Sequence, residues 1–391
     1  MIKWLNITDN VWNIIHTICE LWTFLTIVVT VTWFIIPSSL KERAKVHLLR
    51  LLKKKDDIDK ENVIGNMLLD DISFVDGPYK DYCFEFKIDK GHVANVPEDF
   101  KTIANRLRLE NEERKANGQK PVYSDLIPYA VHNIDYYRTQ SQDMMEEIPV
   151  CHIELRESSY FYSLVSILAM DEKIGGFTIR DKYYLPLIEK PSNPSPHGYD
   201  IVHGLGINTL AYTKDGFFVF GKRETDTVAT GQGCLHLSVG EHLNKMLLDH
   251  DHDNRPNIIK TLKRGIREEL GIDEKLIEDT CISFYGIALS QRVCQYGVLG
   301  FTHLEGMTKN DVLKAWQLSK DGRYENRKLV FIDADISSIV KYLNTHTEEK
   351  MTKFALLNVC LALMEEKDLF LNSSQKRIEH ELKGLRPDAL D

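Results

Sequence analysis

No CxxC pair occurs in the 391 residues, and the seven cysteines (Cys19, Cys83, Cys151, Cys234, Cys281, Cys294 and Cys360) are scattered and odd in number. That spacing supplies neither a zinc knuckle nor a disulfide framework, and it suits a reducing compartment. Positive charge is also in deficit. Against 58 Asp and Glu stand 49 Lys and Arg, a net charge of −9, which argues against wholesale coating of nucleic acid while leaving room for a local basic patch. Apolar residues are plentiful: the chain is 43% hydrophobic, with 16 Tyr, 16 Phe and 5 Trp, so general disorder is excluded. At ~150 residues per domain the length gives two to three folding units, each large enough for a real core.

Residues 21–39 contain no charge, and 21–36 hold 12 apolar residues and four threonines. A helix of that length reaches roughly 28 Å, close to the ~30 Å of a hydrocarbon core. Pro37 and Ser38 end the run, and Lys41, Arg43, Lys45, Arg50, Lys53, Lys54 and Lys55 follow it, whereas only Lys3 precedes it. The positive-inside rule therefore places the C-terminal part in the cytoplasm. There is no basic start or small-residue cleavage site, so a membrane anchor is expected rather than a signal peptide. At 100° per residue, Asn13, His16, Glu20, Thr23, Thr26 and Thr30 fall on one face. Such a stripe has few partners in lipid other than another span, so it reads either as a face for self-association or, equally, as threonines bonding their own backbone with Glu20 in the wet interface.

Downstream the reading is mixed α and β. Strands are expected over 82–88 and 150–155, and helices over 100–115 and 160–169; residues 56–185 contain no catalytic motif. Pro186, Pro191, Pro194 and Pro196 mark a boundary near 186–199. Beyond it come strands at 204–213 and 217–222 around the turn signal Asp215-Gly216, and a short strand at 234–239. A helix at 257–270 has Pro256 at its first position. Strands at 282–290, 297–304 and 329–332 and a long helix at 349–366 complete the pattern. The expected organisation is a transmembrane anchor (1–40), a basic juxtamembrane segment (41–55), a mixed α+β region with a Pro-rich end (56–199), a second domain with its closing helix (200–371) and a polar tail (372–391).

The chemistry concentrates in Arg264-Gly265-Ile266-Arg267-Glu268-Glu269-Leu270-Gly271-Ile272. With Glu268 at 0° on a helical wheel, Arg264 lies near −40°, Gly265 near 60° and Glu269 near 100°, while Ile258, Ile259, Leu262, Ile266 and Leu270 form the buried face. Two adjacent carboxylates thus sit beside the core edge, one turn beyond an arginine, and Gly271 is placed as a C-cap. Clustered carboxylates hold hard divalent cations, and Mg²⁺ is often shared with substrate phosphates. An exposed, salt-bridged helix accounts for Arg-x-x-x-Glu-Glu equally well when it stands alone. The insert Asp249-His250-Asp251-His252-Asp253 before the helix reads as a solvated charged loop, with metal binding as the alternative.

In its context the stretch resembles the signature helix of the Nudix superfamily, matching at Arg264, Ile266, Glu268, Glu269, Gly271 and Ile272. Leu237-Ser238-Val239-Gly240-Glu241 stands where that family's box opens, and the strands before it also fit. The resemblance covers roughly 200–345. It implies a Nudix-like α/β/α sandwich with a mixed sheet, in which Glu268 and Glu269 are metal ligands for Mg²⁺ and Arg264 orients them. Glu325 resembles the loop glutamate that some members use in catalysis, and Glu241, Arg223 and Arg264 are expected to meet the nucleotide. One departure matters most: Gly265 replaces the family's first glutamate, so a ligand or base is missing from the centre of the site, and enzymatic activity stays open.

A single span joined to such a domain resembles the transmembrane-Nudix effectors of bacterial anti-phage cyclic-oligonucleotide signalling (CBASS). That resemblance implies a protein of the bacterial inner membrane with its C-terminal domains in the cytoplasm. It would bind a nucleotide or cyclic oligonucleotide made by a partner cyclic nucleotide synthase, then homo-oligomerise through the transmembrane helix and disrupt the membrane. The alternative is an active Mg²⁺-dependent hydrolase cleaving a nucleoside diphosphate derivative at the lipid membrane surface.

Overall fold

The computed structural model describes residues 72–76, 83–119, 128–140, 147–184, 199–201, 204–225, 228, 230–246, 249–319, 322–371 and 373–391. The expected span, its polar stripe, the basic run at 41–55 and the prolines at 186–196 lie outside the described residues. Among the described residues no helix is long and apolar enough to cross a membrane. All of them belong to one compact unit, Asp59–Asp391.

In chain order the elements are β1 (Ile72–Asp76), β2 (Cys83–Val93), α1 (Glu98–Ala116), β3 (Tyr129–Gln140), β4 (Glu147–Glu157) and α2 (Tyr160–Leu168). A small hairpin of β5 (Lys173–Ile174) and β6 (Phe177–Thr178) follows. Then come β7 (Leu205–Thr213), β8 (Phe217–Arg223), β9 (Leu235–His236), β10 (Val239–His242), α3 (Ile258–Leu270), β11 (Ile282–Ser290) and β12 (Gln295–Leu304). The chain continues through α4 (Lys309–Leu318), the single turn α5 (Gly322–Glu325), β13 (Asn326–Asp333), α6 (Ile336–Thr345), α7 (Lys353–Glu365) and α8 (Gln375–Leu382).

The fold is mixed α/β. Its main sheet runs β1-β11-β12-β7-β8-β13, with β10 added to β7 and β9 to β8. It is a mixed sheet, because β7 and β12 are parallel while the other pairs are antiparallel. Alternation along β8 shows both faces to be covered: Val219 enters one core and Phe218 and Phe220 the other. On the first face Leu262, Ile266 and Leu270 of α3 pack with Leu205, Ile207 and Ala211. That core continues into the three-stranded sheet β2-β4-β3, α1 and α2. The opposite face is covered by α6, α7 and α8. In α1 the buried Phe100, Ile103, Ala104, Leu107 and Asn111 recur at helical spacing.

Several boundaries differ from expectation for local reasons. The strand expected over 234–239 is two strands, because the buried Ser238 turns inward: its hydroxyl donates to the Val219 carbonyl at 2.5 Å and accepts from the Ala211 amide at 2.7 Å. Asn257, not a residue inside the helix, caps α3, its side chain accepting from Lys260 N–H at 3.0 Å; Pro256 therefore precedes the cap. The closing helix starts at Lys353, where Thr352 caps it. The polar tail carries α8, whose Ile378 and Leu382 are fully buried together with the later Ala389.

Candidate functional site

The sheet forks at β7. Its C-terminal half pairs with β8 (Ala211 opposite Val219), while its N-terminal half pairs with β10 (Val239 opposite Thr209, Glu241 opposite Ile207). Ser238 bridges the crotch, and α3 lies against β10. Its close approach is set by Gly265: a Cβ there would stand 2.3 Å from Cγ of Glu241 and 2.7 Å from Cγ1 of Val239. The space beside α3 at this position is thus occupied by the side chain of a glutamate from a neighbouring strand. At the other end of α3, Gly271 takes φ 69° and ends the helix, its N–H donating to the Arg267 carbonyl at 3.1 Å.

Arg264 is the hub. Its side chain is only 4% exposed and meets three carboxylates: Glu241 at 3.0 Å, Glu268 at 2.9 Å, and Asp249 through Nε at 2.7 Å and Nη2 at 3.1 Å. Glu268 also meets Arg267 at 3.2 Å. Glu269 is held differently: one oxygen accepts from the Gly240 N–H at 2.9 Å, the group is buried, and no cation lies in salt-bridge contact with it among the described residues. Glu325 approaches Arg223 at 3.7 Å, and its backbone carbonyl accepts from Glu224 N–H at 2.8 Å.

The electrostatics follow from burial. Desolvation raises the carboxyl of Glu241 despite the opposing charge of Arg264, with Glu325 and Glu268 pushing the same way. Glu269 is raised well above the ordinary range, first by burial and then by the charges of Glu325 and Glu241. Burial, with Arg223 nearby, depresses His236 and His242, so both imidazoles are neutral at pH 7.

All the expected site residues therefore gather at the fork. Arg264 pairs with Glu268, whereas Glu269 accepts from the Gly240 N–H. Arg223 meets Glu325 and electrostatically faces Glu269. The insert at 249–253 divides: Asp249 and His250 are buried, whereas Asp251 forms an exposed turn by accepting from the amides of Asp253 and Arg255. Sequence reasoning missed Asp249 as the bidentate partner of Arg264, since nothing separates it from its charged neighbours in the insert. It missed Asn326 as well. That side chain is 2% exposed, lies over Gly221 and leaves Nδ2 without a partner.

Among the described residues no group of three or more His, Cys, Asp or Glu side chains is arranged to hold a metal ion. The donor chemistry nevertheless suits a hard divalent cation: a buried carboxyl with no cation in salt-bridge contact among the described residues, and further carboxylates close enough to raise its pKa against the opposing charge of Arg223. Glu269, Glu241 and Glu268 are the residues that would hold one.

No family model matches the chain, and no curated protein matches it. Among solved structures, the crystal structure of DR0079 from Deinococcus radiodurans at 1.9 Å resolution is similar at 9% identity and a TM-score of 0.26, over 37% of this chain and 74% of that one. A likeness of that size bears on neither fold nor function.

Proposed function

We propose that the chain is a membrane-anchored effector whose cytoplasmic unit binds a nucleotide second messenger at the fork, and that binding assembles the spans and disrupts the bacterial inner membrane. The observation that carries this reading is the contact at Gly265. The helix that resembles a Nudix box lacks its central acid, and Glu241 fills the space. Carboxylates and arginines suited to a cation and a phosphate remain, while the group that would drive cleavage is absent from the helix. Glu268, Glu269 and Glu241 would hold Mg²⁺, which would offset the charge of the ligand's phosphates. Arg223, partly buried beside Glu325, would meet the same phosphates in this reading. The Nudix-like sandwich, the span over 21–39 and the synthase partner belong to this proposal, as does assembly through the polar stripe.

A second reading, an active hydrolase, is favoured by Glu241 itself. Its carboxyl is raised by burial, as suits a group that exchanges a proton near neutral pH. One experiment separates the two. Full-length protein in detergent, with Mg²⁺, is presented with nucleoside diphosphate derivatives and with cyclic oligonucleotides. Binding of an intact cyclic ligand with growth in oligomer size is expected. Turnover abolished by Glu268→Gln would establish the hydrolase instead, and neither binding nor turnover would overturn both.

A further inference from the structure

Beside the acidic fork lies a second feature that the proposed reading does not use. A cavity of about 470 Å³ opens between β7, β9, the start of β12 and the start of α7. Asn208, His236, Gln295, Phe354, Lys353 and Arg292 contribute to its walls. The volume falls within the roughly 300–1,000 Å³ of small-molecule pockets. We infer that this cavity is a nucleoside pocket: it takes one base-and-ribose unit of the ligand, with the Phe354 ring against the base and the carboxamide oxygens of Asn208 and Gln295, whose NH2 groups bond within the protein, accepting from its edge. This rests on the nucleotide-binding reading and names the part of the ligand that the carboxylates do not contact.

Three observations converge on it. First, three of the charged side chains at the rim, Arg292, Asp391 and Asp171, are paired. Arg292 meets Asp391 at 3.4 Å, and Asp171 meets Arg180 at 2.6 Å. Beside Lys353, the remaining wall offers carboxamides, hydroxyls, a neutral imidazole and an aromatic ring. The ring and the carboxamides suit a heteroaromatic with polar groups on its edge. Second, the backbone is shaped to admit these groups. A Cβ on Gly297 would stand 2.5 Å from Cε1 of Phe354 and 2.9 Å from Nδ2 of Asn208. Glycine at that point lets the ring and the carboxamide lie together over the strand. Third, the cavity adjoins the acids. Gly240, whose N–H donates to Glu269, has Asn208 Oδ1 3.2 Å and His236 Nε2 3.7 Å from the position of its absent Cβ. Gly240 thus touches the cavity wall on one side and Glu269 through its N–H, although none of the fork's charged side chains lines the cavity itself.

The test uses full-length protein in detergent with Mg²⁺ and two kinds of probe: the four nucleoside 5′-monophosphates, and ribose 5-phosphate, which lacks only the base. At least one monophosphate should bind about tenfold or more tightly than ribose 5-phosphate. Phe354→Leu and Asn208→Ala should each remove about tenfold of that preference, as loss of a stacking face or an edge contact does. Unchanged melting temperatures would show that both variants fold. Equal binding of the two kinds of probe would overturn the pocket, as would affinities indifferent to both substitutions or no binding of any monophosphate. Glu268→Gln separates this failure from that of the wider reading. Binding that depends on Phe354 but not on Glu268 sustains the pocket and removes the acidic site from ligand recognition. Dependence on Glu268 alone does the reverse.

Discussion

At the scale of single residues, the close approach at Gly265 makes a sharp demand. Gly265→Ala would place a methyl 2.3 Å from Cγ of Glu241 and 2.7 Å from Cγ1 of the fully buried Val239. Overpacking of that kind costs about 1–3 kcal/mol, which chemical denaturation would register. Adding Glu241→Ala should recover much of the loss, and a double-mutant cycle should give a coupling free energy of about 0.5 kcal/mol or more. Strict additivity would mean that Glu241 is not what requires a glycine there. This residue also marks the limit of what the sequence reveals about the site. The pairing of Arg264 with Glu268 and the cap at Gly271 are legible because each contact depends on helical spacing within one segment, whereas the partner of Glu269 lies on β10. The reason for Gly265 is not, because the group filling its space arrives from β10. Asp249 was hidden for the same reason: its two contacts to Arg264 exist only once the insert has folded back onto α3.

At the scale of elements, hydrophobic alternation and turn chemistry make β7, β8, β11 and β12 readable, and periodicity makes α1, α2 and α3 readable. Two kinds of feature escaped. One is a change of direction caused by a buried polar side chain, as where Ser238 breaks one expected strand into β9 and β10. The other is a mostly polar segment with few but decisive apolar positions. The segment after Asn372 reads as a polar tail, yet Ser374 caps α8 by accepting from Arg377 N–H at 3.3 Å, and Ile378 and Leu382 are fully buried against α6 and α7. Leu382→Ala should therefore cost about 2–5 kcal/mol, the range for truncating a buried leucine. A polar extension would change by no more than about 0.5 kcal/mol. Urea titration of the full-length protein in detergent distinguishes the two.

At the scale of the whole molecule, two buried carboxyls at the fork link stability to pH and to divalent cations. Glu241 is raised from 4.5 to about 8 and Glu269 is raised well above 4.5, so the folded protein holds these protons more tightly than the unfolded chain does. Their contribution to stability is therefore full below about pH 4.5 and is lost as pH rises through the folded-state values. With EDTA present, the melting temperature should fall between about pH 5 and 8, and Glu241→Gln should flatten that fall by removing one of the two groups. A cation at the fork competes with these protons, so Mg²⁺ should raise the melting temperature more at pH 8 than at pH 6. Equal Mg²⁺ effects at the two pH values, or a pH response unchanged by Glu241→Gln, would place cation binding away from the fork. The pairing of proton and cation at the same carboxyls is what would let one acidic site, enclosed by its own arginines, take up an anionic ligand.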